Sequence, residues 1–270
     1  MTQQHSPDLE RRFGGLARLY GAEGAARIRA ARVAVVGIGG VGSWAAEALA
    51  RSGVGAITLV DLDNVAESNV NRQIHALTST LGQPKVEAMR QRIALIHPGC
   101  EVHCVEDFAA SGNWPALLPA AVDGVIDACD QVHAKQALAA WALKTRALFI
   151  TCGAAGGKRQ GERVEIADLA EVTHDPLMAA LRARLRQTGS MAKGGKDGKD
   201  RQARSGLRVV FSREAVTRPA ACGPQPGHDR NLNCHGYGSA VTVTATFGLV
   251  AAGWMLERLA QGRALQHPHT

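Results

Sequence analysis

Residues 33–63 read VAVVGIGGVGSWAAEALARSGVGAITLVDLD, and this stretch decides the fold. Arg32 to Val36 is a short apolar run that reads as a strand. Gly37-Ile38-Gly39-Gly40-Val41-Gly42 follows at once, and Ser43 to Arg51 reads as a helix. Ala56 to Val60 is a second strand, ending in Asp61-Leu62-Asp63. Strand, glycine turn, helix and strand within about thirty residues make a βαβ unit. Strands that are apolar throughout, rather than alternating, point to a parallel sheet covered on both faces.

The alternation continues outward. Pro84 to Ile96 reads as a helix with proline in its first turn. Glu101–Val105 and Gly124–Ala128 read as strands, Val132–Lys144 as an alanine-rich helix, and Ala147–Thr151 as a further strand. The expected class is α/β: a doubly wound, mostly parallel, Rossmann-like sheet over residues 31–153 with helices on both faces. Residues 1–30 form a helical lead-in to it. Past Gly153 the character changes, and 154–270 reads as a substrate-side extension of the same domain. There, strands at Glu162–Ile166 and Leu207–Phe211 flank a helix from Pro176 to Gln187. Residues 188–206 are rich in Gly, Lys and small polar side chains and are expected to be a mobile loop. Thr217 to His235 is another loop. A long apolar helix is expected over 238–260.

Composition narrows the class of protein. With 270 residues, 46% apolar and 20% charged, the chain is ordinary for a globular protein, which excludes disordered, collagen-like and coiled-coil classes. Six cysteines without a CxxC pair make no disulfide scaffold, and the N-terminus lacks the apolar core of a signal peptide. The cytoplasm is the expected compartment. Tyr237 to Leu256 is free of charges for twenty residues, the length of a membrane span. Its threonines and glycines favour a helix buried on both sides, and membrane association is the less favoured alternative. The net charge of +7 is local: nine basic and two acidic residues lie between Arg182 and Arg208. The rest of the chain is neutral. Such a run suits a polyanion such as nucleic acid, or simply a solvated loop.

Gly37-x-Gly39-x-x-Gly42, after a strand and at the start of a helix, is a phosphate-binding turn. Asp61, nineteen residues after Gly42 at the end of the next strand, suits ribose hydroxyls. This much fits NAD as well as ATP. The following residues separate the two. Asn69-Val70-Asn71-Arg72-Gln73 and Gly82-Gln83-Pro84-Lys85 supply the cations that cleavage of ATP between its α and β phosphates requires. Asp127-Ala128-Cys129-Asp130 ends a later strand, where a carboxylate can hold hydrated Mg²⁺.

On these residues the chain resembles the ATP-dependent adenylating enzymes related to ubiquitin activation. Three further stretches, RRFGGLARLYG at 11–21, TCGAAGG at 151–157 and CHGYGSAVTVTATFG at 234–248, resemble the tRNA threonylcarbamoyladenosine dehydratases. The resemblance implies ATP and Mg²⁺. It assigns Gly37, Gly39, Gly40 and Gly42 to the phosphate turn, Asp61 to ribose, and Asp63, Asn71, Arg72, Gln73 and Lys85 to the phosphates. Asp130 is assigned the metal. Arg72, Lys85, Asp130 and Arg12 are cast as catalytic, an N-terminal arginine (Arg12 or Arg18) reaching the ATP of a homodimer partner. The substrate is a tRNA whose adenosine next to the anticodon carries a threonylcarbamoyl carboxylate. Adenylation followed by attack of the ureido group closes a ring with net loss of water.

Arg18, Lys193, Lys196, Lys199, Arg201 and Cys234 are the candidate tRNA-side residues. Cys234 reads more readily as a packing residue at the start of the last helix than as a reactive thiol. No zinc is expected, because Cys222, His228, Cys234 and His235 match no zinc spacing. A monovalent cation and a sulfur-relay or cysteine-desulfurase partner stay open. The alternatives to this function are adenylation of the C-terminal glycine of a ubiquitin-like sulfur carrier and a non-catalytic nucleotide-sensing module.

Overall fold

The computed structural model describes residues 8–191, 204–217 and 237–262. In chain order the helices and strands are α1 (Leu9–Ala30), β1 (Arg32–Val36), α2 (Gly42–Arg51), β2 (Ala56–Val60), α3 (Lys85–Ile96), β3 (Glu101–Val105) and β4 (Gly124–Asp127). Then come α4 (Val132–Thr145), β5 (Phe149–Cys152), β6 (Val164–Asp168), α5 (Pro176–Gln187), β7 (Arg208–Ser212) and α6 (Val241–Ala260). The strands form one seven-stranded sheet in the order β3-β2-β1-β4-β5-β7-β6. Every neighbouring pair is parallel except β6 and β7.

The alternation of side chains along β1 builds two cores. Val33 and Val35 join one cluster with Leu49 of α2, Ile93 of α3 and Phe247 of α6. Ala34 and Val36 join the other, with Leu138 of α4 and Leu181 of α5. The inner strands β1, β2, β4 and β5 are buried on both faces, as their largely apolar sequences require, whereas β3 at the edge is only half-buried. Asp8 caps α1 by accepting from Arg11 N, and Gly21, at φ +75°, kinks that helix midway. A one-turn 3-10 helix at Gly161–Arg163 takes the first two residues expected in β6, so the strand begins at Val164.

The C-terminal helix departs from expectation. It forms over Val241–Ala260, but it is not a uniformly apolar rod. Thr244 and Gly248 lie on its buried face, while Leu249, Gly253 and Glu257 face solvent. Gly248 is needed for close packing on α2, since a Cβ there would stand 2.9 Å from Ala45 N. Among the described residues no helix is long and apolar enough to cross a membrane.

Sheet order places β1 beside both β2 and β4, so successive connections leave β1 in opposite directions. A crevice opens at such a switch point, outside the carboxyl ends of the strands.

Candidate functional site

A cavity of about 390 Å³ occupies that crevice. Its first wall is the turn after β1. Gly37 N donates to Val60 O at 2.8 Å, and Gly37 has φ +87°, a conformation that side chains disfavour. A Cβ on Gly37 would stand 2.7 Å from Cys129 N, and one on Gly42 would collide with Gly37 O. Gly39 is different. A Cβ there would meet only Gln73 Nε2, at 3.9 Å, so its open side is free for a ligand. The turn ends at the N-terminus of α2, where unpaired N–H groups and the helix dipole favour an anion.

The second wall carries the charges. Asp61 is nearly buried, its Oδ2 accepting from Ile38 N at 2.6 Å and its Oδ1 from Asp63 N at 2.9 Å. Burial lifts its carboxyl above the ordinary value, against the pull of Lys85 and the two N–H donors. Lys85 opens α3 and is also buried. Its Nζ lies 2.7 Å from Asp63 Oδ2 and 3.9 Å from Asp61 Oδ1. Arg72 is fixed from two sides: its guanidinium donates to Ser68 O at 2.6 Å and to Asn71 Oδ1 at 2.9 Å, and its carbonyl accepts from Trp44 Nε1 at 3.0 Å. Asp130 is exposed at the third wall, just past β4, and the Gly153–Gly156 strip after β5 forms the fourth.

Of the residues singled out by sequence, Gly37, Gly39, Gly40, Asp61, Asp63, Arg72, Gln73, Lys85 and Asp130 line this one cavity. Two stand behind its wall. Gly42 closes the turn, and Asn71 Nδ2 donates to Ser239 O at 3.0 Å, fastening the Arg72 segment to the approach to α6. Arg12 and Arg18 do not line it. Arg12 donates to Ile96 O at 2.7 Å, at the end of α3 and hence at the amino edge of the sheet, and Arg18 is exposed on α1. Lys193, Lys196, Lys199, Arg201 and Cys234 lie outside the described residues, as do Cys222, His228 and His235.

Sequence reading missed other parts. Phe108, 44% exposed, stands at the mouth on the loop after β3. That loop is braced by Asn113, whose Nδ2 donates to Phe108 O at 2.9 Å. Nothing in the long irregular connection between β3 and β4 marks such a residue. Lys135 and Asp127, both fully buried, pair beneath the floor at 3.1 Å. The four described cysteines are free thiols. Burial pushes Cys100 and Cys152 up to about 12 and Cys104 to about 11, and it raises Cys129 as well. None is a thiolate at neutral pH. Among the described residues no group of three or more His, Cys, Asp or Glu side chains is set to hold a metal ion.

The ThiF family profile matches residues 14–267. The chain is 42% identical over 262 residues to the tRNA threonylcarbamoyladenosine dehydratase of Escherichia coli K12, covering 94% of this chain and 96% of that one. Crystal structures of the E. coli enzyme in complex with AMP and with ATP superpose with TM-scores of 0.84 and 0.82 at 41% identity, over 96% of this chain and 97% of theirs. The E. coli molybdopterin-synthase adenylyltransferase matches over 116 residues only, 43% of this chain and 46% of its own.

Proposed function

This chain belongs to the ThiF family, and from that membership we propose that it is an ATP-dependent tRNA threonylcarbamoyladenosine dehydratase. The observation that carries the reading is a single cavity in which a glycine turn opens a helix N-terminus opposite Arg72, Lys85 and Asp130.

Among the residues lining the cavity, Val60, Phe108 and Leu177 are apolar and suit the base of ATP. Asp61 has lone pairs beyond the two already used and accepts from ribose hydroxyls. The phosphates then run past Gly39 to the start of α2, between Arg72 and Lys85. A carboxylate oxygen of the substrate attacks the α-phosphorus, the bond to the bridging oxygen breaks, and pyrophosphate leaves with the electron pair. Arg72 and Lys85 offset the charge that builds on both phosphates. The acyl carbon now carries AMP as leaving group instead of oxide. The ureido group of the same modification attacks that carbon, AMP departs, and the ring closes; the reaction is intramolecular, so its effective molarity is high. No enzyme nucleophile is needed for these steps, and burial raises the Cys129 and Cys152 thiols above their ordinary value.

Asp130 fits Mg²⁺, which takes one or two carboxylates and completes its shell with phosphate oxygens and water. The ion would add positive charge at the phosphates. The reading includes a cytoplasmic homodimer in which Arg12 or Arg18 serves the partner's nucleotide, since neither lines the cavity of its own chain.

The test is pyrophosphate release from ATP with three additions: tRNA bearing the threonylcarbamoyl group, the same tRNA without it, and a ubiquitin-like carrier. Release with the modified tRNA alone, lost in Arg72→Ala and Asp130→Ala, is the expected result. Release with the carrier alone would move the function to sulfur-carrier adenylation.

A further inference from the structure

The floor of the cavity hides a charged cluster that the chemistry above does not use. Asp127 ends β4, and Lys135 sits in the first turns of α4; neither exposes any surface. Lys135 Nζ stands 3.1 Å from Asp127 Oδ1. Thr151 of β5 links the two, donating to Asp127 Oδ2 at 2.7 Å and accepting from Lys135 Nζ at 3.0 Å. The same Asp127 Oδ1 also accepts from Cys129 N at 3.2 Å and Cys129 Sγ at 2.9 Å.

Such a pair is a poor way to gain stability. Two charges removed from water lose hydration that their attraction barely restores, and a well-packed apolar pair of equal volume does as well or better. What the pair does supply is a fixed backbone. Asp127 holds the N–H two residues ahead of it, which closes the turn Asp127–Asp130. The Ala128–Cys129 peptide in that turn is the surface on which Gly37 rests, since a Cβ on Gly37 would stand 2.7 Å from Cys129 N and 2.9 Å from Ala128 C. One carboxylate therefore sets both the strip that carries Asp130 and the support of the phosphate turn. Lys135 and Thr151 hold that carboxylate in a single orientation. An apolar replacement would fill the space and leave the turn without its tether.

We infer that Asp127 and Lys135 are positioning residues: their buried ion pair, locked by Thr151, fixes the Asp127–Asp130 turn so that Asp130 and the Gly37 turn keep the spacing that Mg²⁺-ATP requires. The inference rests on the ATP-site reading above, and it concerns how that site is held, not what touches the substrate.

The experiment compares full-length wild type with Lys135→Met, Asp127→Asn, the apolar double variant Asp127→Leu/Lys135→Met, which cannot accept from Cys129 N, and Thr151→Val. Three quantities are read: thermal unfolding, ATP affinity with Mg²⁺ and with EDTA, and kcat and KM for pyrophosphate release. Lys135→Met strands a buried carboxylate and is expected to unfold at lower temperature. The double variant is neutral and is expected to recover the thermal midpoint, yet to keep a loss of about tenfold or more in Mg²⁺-dependent ATP affinity and in kcat. Its affinity in EDTA is expected to fall less, because only the Gly37 turn and not Asp130 then contributes. A double variant that recovers affinity and kcat together with stability overturns the inference, because the pair is then structural only. If no charge variant folds, Thr151→Val decides: Mg²⁺-dependent affinity reduced about threefold or more upholds it, and unchanged affinity overturns it. Wild type that binds Mg²⁺-ATP but releases no pyrophosphate with modified tRNA would overturn the functional reading and leave this test standing. Wild type that binds no ATP overturns both.

Discussion

Gly37 and Gly39 stand two residues apart in one turn and answer to different constraints. Gly37 combines positive φ with a backbone neighbour where a Cβ would go, so its constraint is internal to the fold. Gly39 has open space on that side, so its constraint comes from whatever enters the cavity. Alanine should separate them. Gly37→Ala forces a side chain into a disfavoured conformation and is expected to cost about 2 kcal/mol or more, a fall of roughly 4–8 °C in the thermal midpoint for a chain of this size. Gly39→Ala should leave the midpoint within about 2 °C while weakening ATP binding about tenfold, because its methyl stands where a phosphate approaches. Thermal scans and ATP titrations of the two variants check this, and a Gly39→Ala protein with wild-type ATP affinity would remove phosphate from that wall. The difference between these glycines is not legible in the sequence, where both are simply members of GxGxxG. Arg72, Lys85 and Asp130 were legible because each stands in a short motif with fixed spacing. Lys135 was not: on an alanine-rich helix a lysine reads as a solvated charge, and its burial depends on Asp127 of β4 and Thr151 of β5.

At the scale of elements, the placement of α1 has the largest consequence. A helical lead-in was legible over residues 1–30, but its path was not. Phe13 packs its ring edge-to-face on His97 at 4.8 Å and covers the turn at Gly53. Arg12 is tied to the last carbonyl of α3. Both contacts lie at the amino edge of the sheet, while the cavity lies at the carboxyl edge, one strand length away. Five residues of parallel strand span roughly 17 Å, beyond the reach of an arginine side chain. If an arginine of the α1 sequence acts on ATP, it acts on the ATP of a second copy. Mixed dimers test this directly. A chain with Arg12→Ala and Arg18→Ala and a chain with Arg72→Ala should each be inactive alone. Co-expressed, they form heterodimers with one complete site, and about a quarter of wild-type activity should return. Recovery requires the arginine to come from the partner; none is possible if it serves its own chain. Sedimentation at a single chain mass would end the argument sooner.

For the whole molecule, what matters is the side of the sheet from which the two ends of the basic segment emerge. The sequence located the charge between Arg182 and Arg208 but not its side of the molecule. The described ends answer that. Met191 N donates to Leu185 O near the end of α5, and Asp168 accepts from Ser205 N, Ser205 Oγ and Gly206 N just before β7 begins. Because β7 runs parallel to β5, its first residues lie at the amino edge, opposite the cavity. The described ends of the segment are thus rooted on the side away from the cavity, and a grip on phosphates there would add affinity without touching the chemistry. Replacing Lys193, Lys196, Lys199 and Arg201 by glutamine removes four positive charges. If all four meet phosphates, the slope of log affinity for tRNA against log salt should become shallower by about three. Binding at low salt should weaken, and the rate of pyrophosphate release at saturating tRNA should hold. A salt slope equal to that of wild type would mean the segment is solvated and the tRNA lies elsewhere. A fall in the saturated rate would mean that the segment crosses to the cavity edge, its own or that of a second copy.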